Sequence, residues 1–294
     1  MSVGITPDTT DESAYLTVAE YKNAPTSIDY DNLVVGGNSG AQDAELANVI
    51  MRASSYMDQH FNQNLTAQTY IETQRTRMTS EGYIALHPNN APVIQLSDFQ
   101  YGGSPLNLIT LPDCSQTWFE NQQIIIPLSQ ISTSYSSQGP LAFGGGFPRQ
   151  QLFTKYTYVA GYVNTKIVTA TAAATSLTVR SGAGIIAGQI LHIYDGANSE
   201  DVTVASTYTN GSTTVPLTTA LVSTHAAGVA IGNLPTTIKQ ACILLTTAFI
   251  KMRGDNSMTM QVTTSPTANV DGAQRFGGDI ATALQMIALY RRVR

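Results

Sequence analysis

Tyr156-Thr157-Tyr158-Val159-Ala160-Gly161-Tyr162 and Leu234-Pro235-Thr236-Thr237-Ile238-Lys239-Gln240-Ala241 are the two stretches on which the fold turns. The first closes a β-branched and aromatic run, Phe153 to Gly161, that reads as a strand. The second opens a helix. Pro235 suits the first helical position, where its missing amide is no loss. Ile238, Cys242, Leu245, Phe249 and Met252 follow at three- and four-residue spacing and mark one buried face. Lys251 and Arg253 stand at the end where the helix dipole favours cations, and Gly254 suits the position just beyond it.

Between these stretches lies a segment of different composition. Residues 165 to 233 are rich in Thr, Ala, Val and Gly and nearly devoid of Lys and Arg. Ser176–Arg180, Gln189–Tyr194, Asp201–Ala205, Thr213–Leu217 and Gly228–Ile231 are strand candidates at a spacing of about 8–12 residues, which predicts a small antiparallel barrel or sandwich.

Upstream, residues 66 to 161 are β-rich: Gln68–Arg75, Tyr83–Leu86, Val93–Tyr101, Leu106–Leu111, Gln123–Pro127 and Phe153–Gly161. Ser129–Gly146, with Gly144-Gly145-Gly146, lacks periodicity and reads as a long loop. Two helices precede this region. Thr17 and Glu20 form a capping box, with Leu16 and Tyr21 spaced as a hydrophobic staple and Pro25 as the stop. A second start signal lies at Ser39 with Gln42. Leu46, Val49, Ile50, Ala53, Met57 and Phe61 then predict an amphipathic helix of about five turns.

Downstream, residues 255 to 277 are polar and aperiodic and read as an extended arm. A short last helix runs from about Asp279, with Ile280, Leu284 and Ile287 on one face and Arg291, Arg292 and Arg294 at its end. Helices of this length are marginal alone in water, so that apolar face must find a surface. Gly277 and Gly278 supply a joint before it. The expected class is α+β: a small helical bundle from both chain ends, a β-rich middle, and an inserted antiparallel β-barrel or sandwich. The expected segments are 1–163, 164–233 and 234–294.

Composition narrows the function. Charged residues make up 12% of the 294 positions and the net charge is -5, which gives no ground for broad electrostatic binding to nucleic acid. Cys114 and Cys242 make neither a disulfide framework nor a metal site. No stretch reads as a signal peptide or reaches the ~18 apolar residues of a membrane span. Folding in a cytoplasm is expected.

Two pieces resemble the head-tail connector (adaptor) family of long-tailed double-stranded DNA bacteriophages. One is Tyr15-Leu16-Thr17-Val18-Ala19-Glu20-Tyr21 with the helix from Ala44 to Phe61. The other is the strand Tyr156–Tyr162 with the helix opening at Leu234-Pro235. In that family strand and helix are nearly adjacent, so residues 164–233 read as an insertion, placed where extra chain costs little. The resemblance implies a structural virion protein. It would be a twelve-fold ring at the head-tail interface, assembled in the host cytoplasm. It would bind the portal on one side and a stopper or tail-terminator protein on the other, and DNA would pass through its channel without sequence reading. It also implies that Ile280, Leu284, Ile287, Arg291, Arg292 and Arg294 dock on the portal; the other reading is that this helix completes the subunit's own bundle.

No enzymatic activity, cofactor or metal is expected. Arg253-Gly254-Asp255 spells an adhesion tripeptide but reads as a helix end. Asp195 to Asp201 offers several oxygen ligands, yet it lacks the distal bidentate Glu of a calcium loop and reads as a hairpin turn. His60, His87, His192 and His225 have no zinc spacing. Gly144–Gly146 lacks the Lys-Ser/Thr of a phosphate loop, and no Ser or Cys sits in a nucleophile elbow. A competing function is a tail or baseplate protein whose β-insert recognises a host glycan; Tyr194 and Tyr208 are the insert's aromatic residues.

Overall fold

The computed structural model describes residues 14–26, 28–77, 79, 83–120, 122–127, 151–253 and 279–291. The Ser129–Gly146 loop, the arm 255–277, Gly254, Gly277, Gly278, Arg292 and Arg294 lie outside the described residues, as does the Arg253 side chain. The fold is α+β. The chain divides into two compact units, whose described parts are Ala67–Tyr162 for the first and 14–66 with 163–291 for the second.

In the first unit, β1 (Gln68–Arg77), β7 (Gln151–Ala160), β3 (Val93–Ser104) and β4 (Asn107–Thr110) form one antiparallel sheet in that order. A second sheet has the order β2 (Tyr83–Leu86), β6 (Gln123–Pro127), β5 (Trp118–Glu120). Strand alternation explains the core. Tyr70, Phe99, Leu152, Tyr156 and Tyr158 point inward from the first sheet and pack with Ile84, Leu86, Ile124 and Ile126 of the second. Among the described residues the carboxylate that faces this core, Glu72, is fully engaged. It accepts from the Tyr156 and Tyr158 hydroxyls and from the Asn89 amide, which is what makes a buried charge tolerable. Strand β5 was not among the sequence candidates: it is three residues long and all three are exposed.

The second unit holds α1 (Val18–Asn23), α2 (Ser39–Phe61) and α3 (Thr236–Arg253), with a last helix at residues 279–286, here α4. Thr17 caps α1, and Glu20 reaches back to the Thr17 amide. At α2 the cap is Asn38, whose side chain accepts from the Ala41 amide, rather than Ser39, which is the first helical residue. Gln42 is buried and holds the Val34 amide and carbonyl instead of closing a capping box. Leu46, Val49, Ile50, Ala53, Met57 and Phe61 are all buried, as are Ile238, Cys242 and Leu245 on α3. Between α2 and α3 the Ser54 hydroxyl meets the Cys242 thiol at 3.7 Å, and the Tyr21 hydroxyl of α1 meets Thr247 at 3.0 Å.

The same unit contains a six-stranded antiparallel array in the order β11 (Glu200–Thr203), β10 (Ile190–Tyr194), β13 (Ala230–Gly232), β8 (Asn164–Thr169), β9 (Ser176–Val179), β12 (Thr214–Pro216). Its two end strands meet. Val204 bridges Leu217, the Ala205 amide donates to Pro216, and the Thr218 amide donates to Thr203. The ladder therefore returns to its start, so these six strands form a closed barrel without an open edge. Its interior is its own: Val163, Ile167, Leu177, Leu191, Ile193, Val202, Val215 and Ile231 form one buried cluster. Strand β8, absent from the sequence candidates, lies between β13 and β9.

Candidate functional site

The joint between barrel and helices centres on Glu20. One of its carboxylate oxygens closes the α1 capping box, accepting from the Thr17 amide at 2.7 Å and the Thr17 hydroxyl at 2.9 Å. The other accepts from the Lys239 ammonium of α3, and both side chains are nearly sealed from solvent, with 7% and 11% exposure. Lys239 also lies over the Tyr194 ring of β10, 3.5 Å from its centroid. Burial pushes the Lys239 pKa down, against the pull of Glu20, and burial with the Glu20 charge pushes the Tyr194 phenol up to about 12. One ammonium thus links α1, α3 and the barrel. A second tie is the Asn164 side chain, which donates to the Ala14 carbonyl at 2.9 Å.

At the barrel's entry and exit, the Asn233 amide donates to the Val163 carbonyl at 3.0 Å, and the Val163 amide donates to the Asn233 side chain at 2.7 Å. Gly232 is required beside them, because a Cβ there would lie 2.1 Å from the Val163 carbonyl oxygen.

The C-terminal helix has a seat in its own unit. Ile287 and Ala283 are fully buried, while Ile280 and Leu284 are half-buried. Tyr290 packs edge-on against Phe61, and its carbonyl accepts from Gln63. Asp279 pairs with Lys251 at 3.3 Å. Leu289 is 94% exposed and Arg291 is also exposed. Phe249 and Met252, at the far end of the α3 stripe, are half-buried. With Val49, Arg52, Tyr56 and Gln59 they line an open groove of about 580 Å³ between α2 and α3.

The histidines and carboxylates of the barrel pair with one another. The His225 ring is buried between Asp195 and Glu200, each 2.8 Å from one of its nitrogens. Burial works to raise the Glu200 carboxyl, but the amides of Val222 and Ser223 and the His225 ring overcome it and hold the carboxyl below its ordinary range. Asp201 meets His192 at 2.6 Å. Residues 195–199 thus form the connection between β10 and β11, with a 3-10 turn at Gly196–Asn198, and Glu200 and Asp201 open β11. Among the described residues no three His, Cys, Asp or Glu side chains are grouped to hold a metal. Burial pushes the Cys242 thiol up to about 12, so it is a packed core group. Among the described residues no helix is long and apolar enough to cross a membrane.

One group was missed in the sequence. Asp58, on α2, accepts from the Tyr15 hydroxyl, which itself accepts from the Leu65 amide. Burial raises the Asp58 pKa to about 7 despite that bond. An Asp on a helix gives no sequence signal of this, because its hydrogen-bond partner Tyr15 lies over forty positions away.

No protein-family model matches the sequence, and no curated protein matches it. Among solved structures the chain is similar to one described as the neck of an empty GTA particle computed with C6 symmetry. The TM-score is 0.40 and the identity 14%, over 99% of this chain and 97% of that one. A likeness of that degree carries no functional argument.

Proposed function

We propose that the protein is a structural virion component: a ring-forming head-to-tail adaptor that joins the portal to the tail side and passes double-stranded DNA through its channel. The observation that carries this reading is the clasp between Val163 and Asn233. Val163 follows the connector-like strand Tyr156–Tyr162, and Asn233 precedes the connector-like helix at Leu234-Pro235. With residues 164–232 bracketed out, the strand and the helix follow one another along the chain, which is the order the resemblance implies. Ring closure would use head-to-tail contacts between identical subunits, twelve by the resemblance. The exposed remainder of the C-terminal segment, Leu289 and Arg291, is the part offered to the portal, with the cation steering approach more than setting affinity.

Recognition of a host glycan by the barrel finds less support. Tyr194 is covered by Lys239, and Tyr208 is buried with its hydroxyl on the Ser212 carbonyl at 2.7 Å, so neither ring is a free sugar platform. Electron microscopy of the purified protein, alone and mixed with portal rings, tests the adaptor reading. Closed rings with an axial hole that stack on the portal are expected. A protein that remains monomeric in the presence of portal and tail-side partner defeats it.

A further inference from the structure

We propose that the outer face of the β1–β7–β3 sheet is a phosphate-backbone contact for double-stranded DNA; the choice of DNA as the polyanion rests on the adaptor reading. The inner face of this sheet holds the core, and the outer face carries cations. Strand β1 exposes Thr69, Ile71, Thr73, Arg75 and Arg77 on that side. The register sets Arg75 beside Phe153, Arg77 beside Gln151, and Thr73 beside Lys155, which in turn lies beside Gln100 of β3. Arg75, Arg77 and Lys155 are all exposed, and among the described residues none of the three has an ion-pair partner. The Arg75 guanidinium lies 4.8 Å over the Phe153 ring. A guanidinium held over a ring in this way keeps N–H donors available at its edge. The carboxylate on this face, Asp98, accepts from Gln100 at 3.0 Å, so the described face is net cationic in a chain of net charge -5.

A bland reading exists: edge strands carry charged side chains to prevent pairing with other chains. It accounts for Arg75 and Arg77 on β1, which is an edge of the sheet. It does not account for Lys155. That residue is on β7, which is hydrogen-bonded on both sides and has no edge to protect. Placing Lys155 one row from Arg75 adds like-charge repulsion across the ladder, which an anion lying on the face would relieve. Arg75 and Arg77 are two strand positions apart, roughly 6.7 Å, close enough for both to reach one strand of a polyanion. Thr73, Thr157, Gln100 and Gln151 add neutral donors of the kind that position a phosphate backbone without reading bases. Three such charges make a weak, salt-sensitive grip that lets DNA slide.

The test is a salt series on the full chain with a short mixed-sequence duplex. Each phosphate contact contributes about 0.9 to the slope of log affinity against log salt. R75Q/R77Q/K155Q is therefore expected to reduce the slope by nearly three units and to weaken binding at low salt by more than tenfold. R75K/R77K is expected to keep the slope, and K22Q/K251Q, in which both cations are already paired, is expected to bind like the parent. Melting temperatures of all variants check that the fold persists. A parent protein without measurable duplex binding at about 50 mM salt, or a triple variant with the parent slope, overturns the proposal. So does a triple variant that binds DNA normally but no longer binds an acidic partner ring, since the face would then be a protein contact. Ring formation is scored separately in the micrographs: rings with no change in slope refute the contact and leave the adaptor reading standing, whereas a lost slope without rings does the reverse.

Discussion

Val163 and Asn233, 70 positions apart, hold each other by two hydrogen bonds, backbone to backbone and backbone to side chain. A segment whose ends meet this closely can be removed with little strain on the chain that carries it. Excision of residues 164–232, with Val163 joined to Asn233 by a short glycine linker, is expected to leave a soluble protein with helical circular dichroism. Loss of all helical signal would show that the helices need the barrel to fold. Gly232→Ala should be more disruptive than Asn233→Ala. The added methyl meets a backbone oxygen at 2.1 Å, whereas Asn233→Ala leaves the Val163 amide without its side-chain partner, at a cost of about 1–3 kcal/mol.

Glu20 serves two structures at once, and its substitution should exceed a cap mutation in effect. Thr17→Ala removes only the cap, worth about 0.5–2 kcal/mol. Glu20→Ala leaves Lys239 buried and unpaired, a defect of about 3–5 kcal/mol. In Glu20→Gln/Lys239→Met the uncompensated charge is gone, and much of that loss is expected to return. Chemical denaturation of the three variants checks the order. A Glu20→Ala protein no less stable than Thr17→Ala would mean that the Glu20–Lys239 pair contributes nothing.

These two residues show where sequence reading reaches and where it stops. The Thr17–Glu20 cap is local, three positions wide, and its chemistry is written in residue type. The partner of Glu20 on α3 is not: a lysine near the start of a helix reads as a solvated charge until the fold brings α1, α3 and β10 together. The apolar stripes of α2 and α3 were legible for the same local reason. Phe249 and Met252 belong to the stripe by spacing, yet the partner helix leaves them lining a groove. Strand β8 escaped because a polar residue, Thr165, faces inward and an apolar one, Val168, faces outward, and the choice of barrel over sandwich needed the long-range bridge between Val204 and Leu217.

Stability should fall as pH rises towards neutrality, through Asp58. Its pKa is about 7 in the folded chain against an ordinary value of 3.8. Between those values the folded state binds more protons than the unfolded state, so unfolding free energy decreases with pH across that window. Asp58→Asn keeps a neutral side chain that can still accept from Tyr15. The variant is expected to melt several degrees higher than the parent above pH 7, and to differ little from it near pH 4. Melting curves across this range check the sign. A difference between the two proteins that does not grow with pH would show that Asp58 stays ionised when folded.

Ile287 and Leu289 separate the two roles open to the C-terminal helix. Ile287 is fully buried and Leu289 is 94% exposed, two positions apart on the same short segment. If the helix serves the subunit's own bundle, Ile287→Ala should cost about 2–5 kcal/mol, the usual range for truncating a buried aliphatic side chain, and the melting temperature should drop accordingly. Leu289→Ser removes no buried area and should leave the melt unchanged. An apolar side chain so exposed at a helix end gains only by meeting another surface. Under the adaptor reading, Leu289→Ser together with Arg291→Gln is therefore expected to weaken portal binding while ring formation and melting stay normal. Co-sedimentation with portal rings measures this directly. Unchanged co-sedimentation would remove this segment from the portal contact and leave the helix as a bundle element alone.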